Sequence, residues 1–513
     1  MVHYDDKPGH AEELENKPGA VFSEKAAVSD FRAEAIEAEN VEHNMTVIEA
    51  MKAYPMASFW AFVMSCTIIM ESYDVFLMGN FVALPDFVKK FGVDAVVDGK
   101  AVRVIATQWQ SALQVSGQLG ALIGVFVAGP LTSRIGYRYA TLTGLMLLNA
   151  FIFVFYFANS LPVIEIVPLR LRAPATQMLQ MFWAIGSIIV GAVTYRYNKQ
   201  DGAEAYRIPI ALQWLFPTPL AILIFFAPES PWWLVRKGRH EEAARSVERL
   251  GKKSQVNSAD AVSMMRRVVE MEASAKKPSH LELFKGTDLR RTLIVCGVYA
   301  AQNLTGNLIA NQAVYFFTQA GIKSDTAFAL GLITSALQMI FVMLSWILTT
   351  YYGRRSIYLW GSAVNTVLLV ALGVAASVGG ANNTNAQFAQ ASLGLIVSVL
   401  FTLGPAPASW VIIGETSAIR LRPLTTGMGR ATYYIVEIPC IFLASYMLNP
   451  TGGNLGGKCG YVWGGTGLAC LVTAYFFLPE MKGRSYREID IMFKRKIPAR
   501  QWKKTEIDVN DDE

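Results

Sequence analysis

Four ionisable side chains stand where charge is expensive. Glu71 and Asp74 fall inside one long apolar block, Arg430 and Glu437 inside another. Glu71 and Asp74 are three residues apart, so on a helix they share a face; Arg430 and Glu437, about two turns apart, do the same. Such groups suit two kinds of chemistry: carboxylates that take up and release a proton, and charges that hold a polar solute. A structural ion pair fastening helices together is the alternative, and residue types alone leave it open. All five histidines (His3, His10, His43, His240 and His280) lie outside the apolar blocks, so a proton crossing them has to use carboxylates.

Amides form the second candidate group. In AQNLTGNLIANQ, Gln302 and Asn303 are adjacent, and Asn303, Asn307 and Asn311 follow an i, i+4, i+8 stripe expected on one helix. An amide both donates and accepts, which suits hydroxyl recognition; the same row also suits interhelical bonding. Gln180 is a further candidate contact, and Tyr73, Trp183, Trp410 and Tyr433 could stack on a ring or simply pack. Cys66, Cys296, Cys440, Cys459 and Cys470 make an odd count without metal-ligand spacing, so neither a disulfide framework nor a metal site is expected. With no nucleophile–histidine pair and no phosphate loop, neither an enzyme nor a cofactor is expected.

The elements that must position these groups are membrane-spanning helices. Of 513 residues 53% are hydrophobic and only 17% charged, with a mean hydropathy of +0.32. Soluble domains carry about 25% charged residues. The apolar residues come in blocks that reach the ~20 needed to cross a bilayer. The pattern predicts an all-α polytopic membrane protein with about eleven visible spans, near 57–83, 108–132, 139–161, 175–195, 208–227, 292–317, 327–351, 356–378, 388–413, 425–448 and 459–478. Residues 1–56 and 480–513 then form cytoplasmic tails, 57–228 and 292–479 two transmembrane bundles, and 229–291 a cytoplasmic helical linker. That linker carries 14 Lys/Arg against 9 Asp/Glu, and residues 1–52 carry 5 against 12. Basic residues between spans mark the cytoplasmic side, so the overall charge of +6 does not imply nucleic acid. The uncharged GGANNTNA loop, 379–387, with a glycosylation sequon at Asn382, is expected outside. SRIGYR (Ser133–Arg138) and YYGRRS (Tyr351–Ser356) follow the second span of each half, the weak repeat of a duplicated transporter.

APESPWWLVRKGR (227–239) and LPEMKGRSYREID (478–490) resemble the signatures closing the two halves of major-facilitator sugar porters. EHNMTVIEAMKAYP, IMESYDVFLMGNFVALPDF, WQSALQVSGQLG, GETSAIRLRPLT and YMLNPTGGNLGGKCGYVWGG bring the resemblance closer to fungal maltose/α-glucoside proton symporters, over about residues 42–496. The resemblance implies a major facilitator fold of two bundles, alternating access, sugar bound near the midplane, proton symport and a multi-pass protein of the plasma membrane, expected to be a monomer. It implies proton coupling at Glu71 and Asp74. It implies sugar contacts at Gln302 and Asn303, with Asn307, Asn311, Gln180, Trp410, Arg430 and Glu437 as the other candidates. A cytoplasmic gate would comprise Arg134, Gly136, Arg138, Glu165, Arg172, Glu229, Arg236, Gly353, Arg354, Arg355, Glu415, Arg420, Arg422, Glu480 and Arg484.

The chain departs from this pattern at Ala121 and Ser133, where such symporters carry acids, at Thr350, and at Ser187, where they carry a sugar-contacting Gln. The family's fourth span is also missing: only Val163 and Ile164 separate the motifs that flank it. Five extended residues cover at most ~18 Å, too little for ~30 Å of hydrocarbon. A sugar sensor and a non-functional truncated family member are therefore the alternative readings; a sensor would be expected to carry a longer cytoplasmic tail.

Overall fold

The computed structural model describes residues 52–97, 100–150, 172–200, 202, 204–251, 257–274, 279–306, 309, 311–378, 384–418, 421–484 and 486–505. The region expected to lack the fourth span, the Asn382 sequon and most of the N-terminal tail lie outside these residues. The chain divides into two compact units: the larger takes Phe59–Val167, Arg172–Ala227 and Pro278–Glu513, the smaller Pro228–Lys277 with the chain before Phe59.

The first half runs through α1 (Pro55–Phe81), α2 (Pro85–Phe91), an antiparallel hairpin β1 (Val93–Val97) and β2 (Lys100–Val104), α3 (Thr107–Ile135), α4 (Tyr137–Ala150), α5 (Arg172–Tyr197), α6 (Glu204–Ala211) and α7 (Pro217–Phe225). Proline opens α1, α2 and α7, where the missing N–H costs nothing. The expected span at 208–227 is interrupted. Pro209 sits inside α6, and a 3-10 turn over Leu212–Leu215 separates it from α7.

In the smaller unit follow α8 (Pro231–Arg236), α9 (His240–Leu250) and α10 (Ser258–Ser274). Glu241 and Glu242 occupy the first turn of α9, where carboxylates complement the helix dipole. Ala243, Val247 and Leu250 form its buried stripe. Among its described residues, the stretch expected to be a linker is helical over α8, α9 and α10.

The second half contains α11 (Gly286–Leu304), α12 (Ala313–Gln319), α13 (Ser324–Tyr351), α14 (Arg354–Val378), α15 (Thr384–Leu403), α16 (Pro405–Thr416), α17 (Arg422–Leu448), α18 (Cys459–Phe477) and α19 (Tyr486–Lys494). One expectation fails here. Asn303, Asn307 and Asn311 do not share a helix, because α11 ends at Leu304 and Gly306 turns the chain at φ +83°. A side chain there would be strained and would meet Leu369 and Trp463. Asn311 lies beyond the break, and Asn307 outside the described residues.

Among the described residues, five helical stretches are long and apolar enough to cross a membrane: α1, α13, α14, α15 with α16, and α17. The core of the larger unit joins Tyr73, Phe76 and Leu77 of α1 to Val190 of α5, Phe316 and Phe317 of α12 and Phe328 of α13. Small residues let the backbones approach. A Cβ on Gly186 would come 2.8 Å from Ser72 Cβ, and one on Gly429 would come 2.6 Å from Tyr299 Cδ2. Those contacts draw α5 against α1 and α17 against α11. Across the two halves, α3 packs along α17 and α5 along α13.

Candidate functional site

The charged centre is built from α1, α11, α16, α17 and the 3-10 turn before α7. Glu71 and Asp74 are both buried, at 8% and 3% exposure, yet their surroundings differ. Asp74 accepts a 2.5 Å hydrogen bond from Gln213 Nε2 in the 3-10 turn. The neighbouring α1 residues are tied in the same direction: Ser72 Oγ donates to Trp183 O at 2.6 Å and Tyr73 Oη to Pro209 O at 2.9 Å. Glu71 faces the second half, with Oε1 3.5 Å from Arg430 Nη2.

On α17 the residues at i, i+3, i+4 and i+7 make one continuous array. Arg430 Nε donates to Tyr434 Oη at 3.0 Å, and its guanidinium lies 4.8 Å and 4.9 Å from the ring centroids of Tyr433 and Tyr434. Tyr433 Oη donates to Glu437 Oε1 at 3.3 Å. Trp410 of α16 stands 6.0 Å from the guanidinium and edge-on to Tyr299 of α11. Asn303 Nδ2 donates to Tyr433 O at 3.1 Å, fixing α11 against the array.

Several buried polar atoms here have no protein partner: Gln302 Nε2, Asn303 Oδ1, Glu437 Oε2 and Gln213 Oε1. A buried polar group left unpaired costs about 1–3 kcal/mol. The array thus holds donors and acceptors ready for a hydroxylated molecule, flanked by aromatic faces and one guanidinium.

Six of the expected central residues come together. Glu71, Trp410, Arg430, Tyr433, Glu437 and Asn303 meet in this array. Tyr73 and Trp183 instead serve α1 packing: Tyr73 through Pro209, and Trp183 through Ser72 and Phe76, whose ring lies 6.2 Å away. Gln180 lies on α5, with its side chain outside the description. Ser187 spends its hydroxyl on Ala184 O at 2.8 Å, and Ala121 is fully buried. Gln213 and Tyr434 are additions. A lone Gln between Pro209 and Pro217 was the available sign of Gln213, since prolines break the helix around it.

The expected gate residues divide. Arg354 Nη2 pairs with Glu415 Oε1 at 3.0 Å, and the Glu480 carboxylate lies against Gly353, where a Cβ would clash. Arg355 donates to Tyr475 O at 2.8 Å. Arg484 turns away, to Glu488 Oε1 at 3.3 Å, Trp502 O at 3.1 Å and Thr505 O. In the first half Arg134 ends α3, Gly136 turns at φ +91°, and Arg138 donates to Phe225 O. Arg172 and Arg422 open α5 and α17. In the smaller unit Glu229 Oε1 accepts from Ser230 N at 3.0 Å and Arg236 ends α8. Glu165 and Arg420 lie outside the described residues.

The family model "Sugar (and other) transporter" matches residues 60–164 and 160–493. The chain is similar to the alpha-glucosides permease MPH3 of Saccharomyces cerevisiae, with 33% identity over 94% of this chain and 84% of that one. It is also similar to the maltose permease MAL31 of the same species, with 33% identity over 96% and 86%. Among solved structures, the proton:xylose symporter XylE bound to 6-bromo-6-deoxy-D-glucose superposes with a TM-score of 0.65 at 17% identity. That match covers 86% of this chain and 99% of the other. XylE from E. coli in a partially occluded inward-open conformation gives 0.63 at 17% identity, over 84% and 100%. The chain belongs to the sugar (and other) transporter family: it is a multi-pass membrane transporter of the major facilitator fold, not an enzyme.

Proposed function

We propose that this chain carries α-glucosides such as maltose across the plasma membrane together with protons, by alternating access, as a monomer. The observation that carries the reading is the central array. Arg430 of α17 lies against Glu71 of α1, and Tyr433 of the same helix donates to Glu437, among buried amide and carboxylate atoms that lack protein partners. The named activities of the relatives supply the cargo class. Sugar hydroxyls would meet Gln302, Asn303 and Glu437, and the Trp410 face would cover the ring. Asp74, buried beside one amide, would carry the proton, and Glu71 would exchange Arg430 with the loaded state. Arg354, Glu415 and Glu480 would hold the cytoplasmic side of the second half. Test: add maltose to a lightly buffered suspension of cells expressing the chain and follow external pH with labelled uptake. Alkalinisation with uptake that collapses under a protonophore is expected; uptake indifferent to the protonophore removes the coupling.

A second reading rests on one observation: the two family-matched segments overlap at residues 160–164, the place where the fourth span is expected to be missing. We propose that the chain as written is short of that helix and is retained in the secretory pathway. Inserting ~25–35 residues of apolar sequence between Leu161 and Glu165 should then restore surface delivery and uptake. Equal delivery and uptake by the uninserted chain removes this reading.

A further inference from the structure

Beyond the charged centre, the two halves meet in a second place that contains no charge. At the start of α3, Thr107 Oγ1 lies 2.7 Å from Thr451 Oγ1, and Thr107 N donates to the same oxygen at 3.1 Å. Thr451 Oγ1 in turn donates to Asn449 Oδ1 at 2.8 Å. A hydroxyl has one proton, so Thr107 is the donor of the 2.7 Å bond. Asn449 Nδ2 donates to Ile105 O at 2.7 Å and to Gln110 Oε1 at 2.6 Å. Gln110 Nε2 donates to Gln312 Oε1 at 3.2 Å, and Gln312 Nε2 to Gln114 Oε1 at 2.7 Å.

The bonds therefore run one way: Thr107, Thr451, Asn449, Gln110, Gln312, Gln114. They cross between the halves four times. Gln110, Gln312 and Asn449 are essentially fully buried, at 0%, 1% and 0% exposure. The series stops on a donor with nothing to receive it, Gln114 Nε2. One turn along the same face of α3, Gln118 buries an acceptor without a donor, Oε1, and the residue is 7% exposed.

We propose that this relay of neutral amides is the lock of the extracellular gate, and that a sugar hydroxyl docks at its open inner end, between Gln114 and Gln118. The side assignment rests on the transport reading, with the N-terminus cytoplasmic so that α3 begins outside. A hydroxyl can accept a hydrogen bond while donating its one proton, which matches the unmet donor and unmet acceptor. Each relay bond is worth little net on its own, so a lock of this kind holds by number and opens when a few partners are exchanged.

The test uses full-length protein in membranes. In the double variant Thr107→Cys, Thr451→Cys, the sulfurs replace oxygens already in contact. Oxidation with copper phenanthroline should crosslink the pair and stop uptake, and dithiothreitol should restore it; transport by the crosslinked protein overturns the lock. A second readout needs no sugar. An impermeant maleimide applied outside to Gln118→Cys should react at least about fivefold faster when Asn449→Ala is added, because removing the two bonds that Asn449 makes to the first half shifts the open population by that factor or more. The Gln118 residue supplies no relay bond, and the chain without Gln118→Cys is the background control. Unchanged labelling overturns the lock. Gln118→Leu should raise the apparent KM for maltose at least about threefold while leaving the Thr107→Cys, Thr451→Cys crosslink unchanged, and an unchanged KM overturns the docking half. If Asn449→Ala speeds labelling of Gln118→Cys as expected while no variant moves maltose, the lock stands and the cargo reading falls. In transport, Asn449→Ala should lower the apparent KM for external maltose while slowing turnover; mere misfolding would lower the rate without improving KM.

Discussion

Two polar contacts with the first half, one within helix α17 and one at the residue that caps it, have opposite character. Arg430 reaches Glu71 on α1 over 3.5 Å, amid buried atoms without partners. Asn449, nineteen residues on and so about 28 Å away along a helix, is saturated by short bonds to Ile105, Gln110 and Thr451. The first contact is long and charged, beside buried polar atoms without partners; the second is short and neutral. Unpartnered polar atoms gain from a ligand or a proton, whereas a saturated neutral contact gains only from staying closed. The two contacts therefore suit different work, binding at the centre and closure at the end.

The largest expected effect breaks the charged side of this contrast. If Asp74 carries the coupling proton, Asp74→Asn should reduce accumulation to equilibration while leaving exchange of labelled maltose. One coupled charge supports about fiftyfold accumulation per 100 mV, so the steady-state ratio of internal to external maltose should fall by that order. Next, Arg430→Gln leaves Glu71 buried without the cation it pairs with and removes the nearby positive charge from the array around Glu437. A loss of about 3–5 kcal/mol is expected, read as a lower Tm in detergent, and Arg430→Lys should recover only part because it forfeits the stacking on Tyr433 and Tyr434. On the neutral side, Gln312→Leu strands the amides of Gln110 and Gln114, at about 1–3 kcal/mol, measured in the same melts. Asn303→Ala removes a single bond to Tyr433 O; about 1 kcal/mol and a severalfold higher KM for maltose at near-normal expression are expected. The smallest change is Lys199→Ala. Lys199 and Asp325 are 3.8 Å apart with 60% and 62% of their side chains exposed, and such a pair is worth under about 0.5 kcal/mol. A Tm drop comparable with that of Gln312→Leu would show that exposed charge, not buried amides, fastens the two halves.

Much of this protein is legible in sequence because membrane insertion depends on local composition. The apolar blocks, the breaks between them and the cost of Glu71, Asp74, Arg430 and Glu437 within them can all be read from neighbours in the chain. The i, i+3, i+4, i+7 array of α17 belongs to the same class, since helical spacing alone puts Arg430, Tyr433, Tyr434 and Glu437 on one face. Tertiary structure decided what those faces meet. Glu71 and Asp74 share a helix face by spacing, yet one finds Arg430, 359 positions away, and the other Gln213, 139 positions away. Nor could spacing foresee that Gly306 would break the Asn303–Asn311 stripe, because the left-handed turn matters only once Leu369 and Trp463 close around it. The amide relay was invisible for the same reason. Gln110, Gln312 and Asn449 are ordinary amides in distant segments, and an amide acquires direction only when packing supplies, on each side, the donor and the acceptor it must bond.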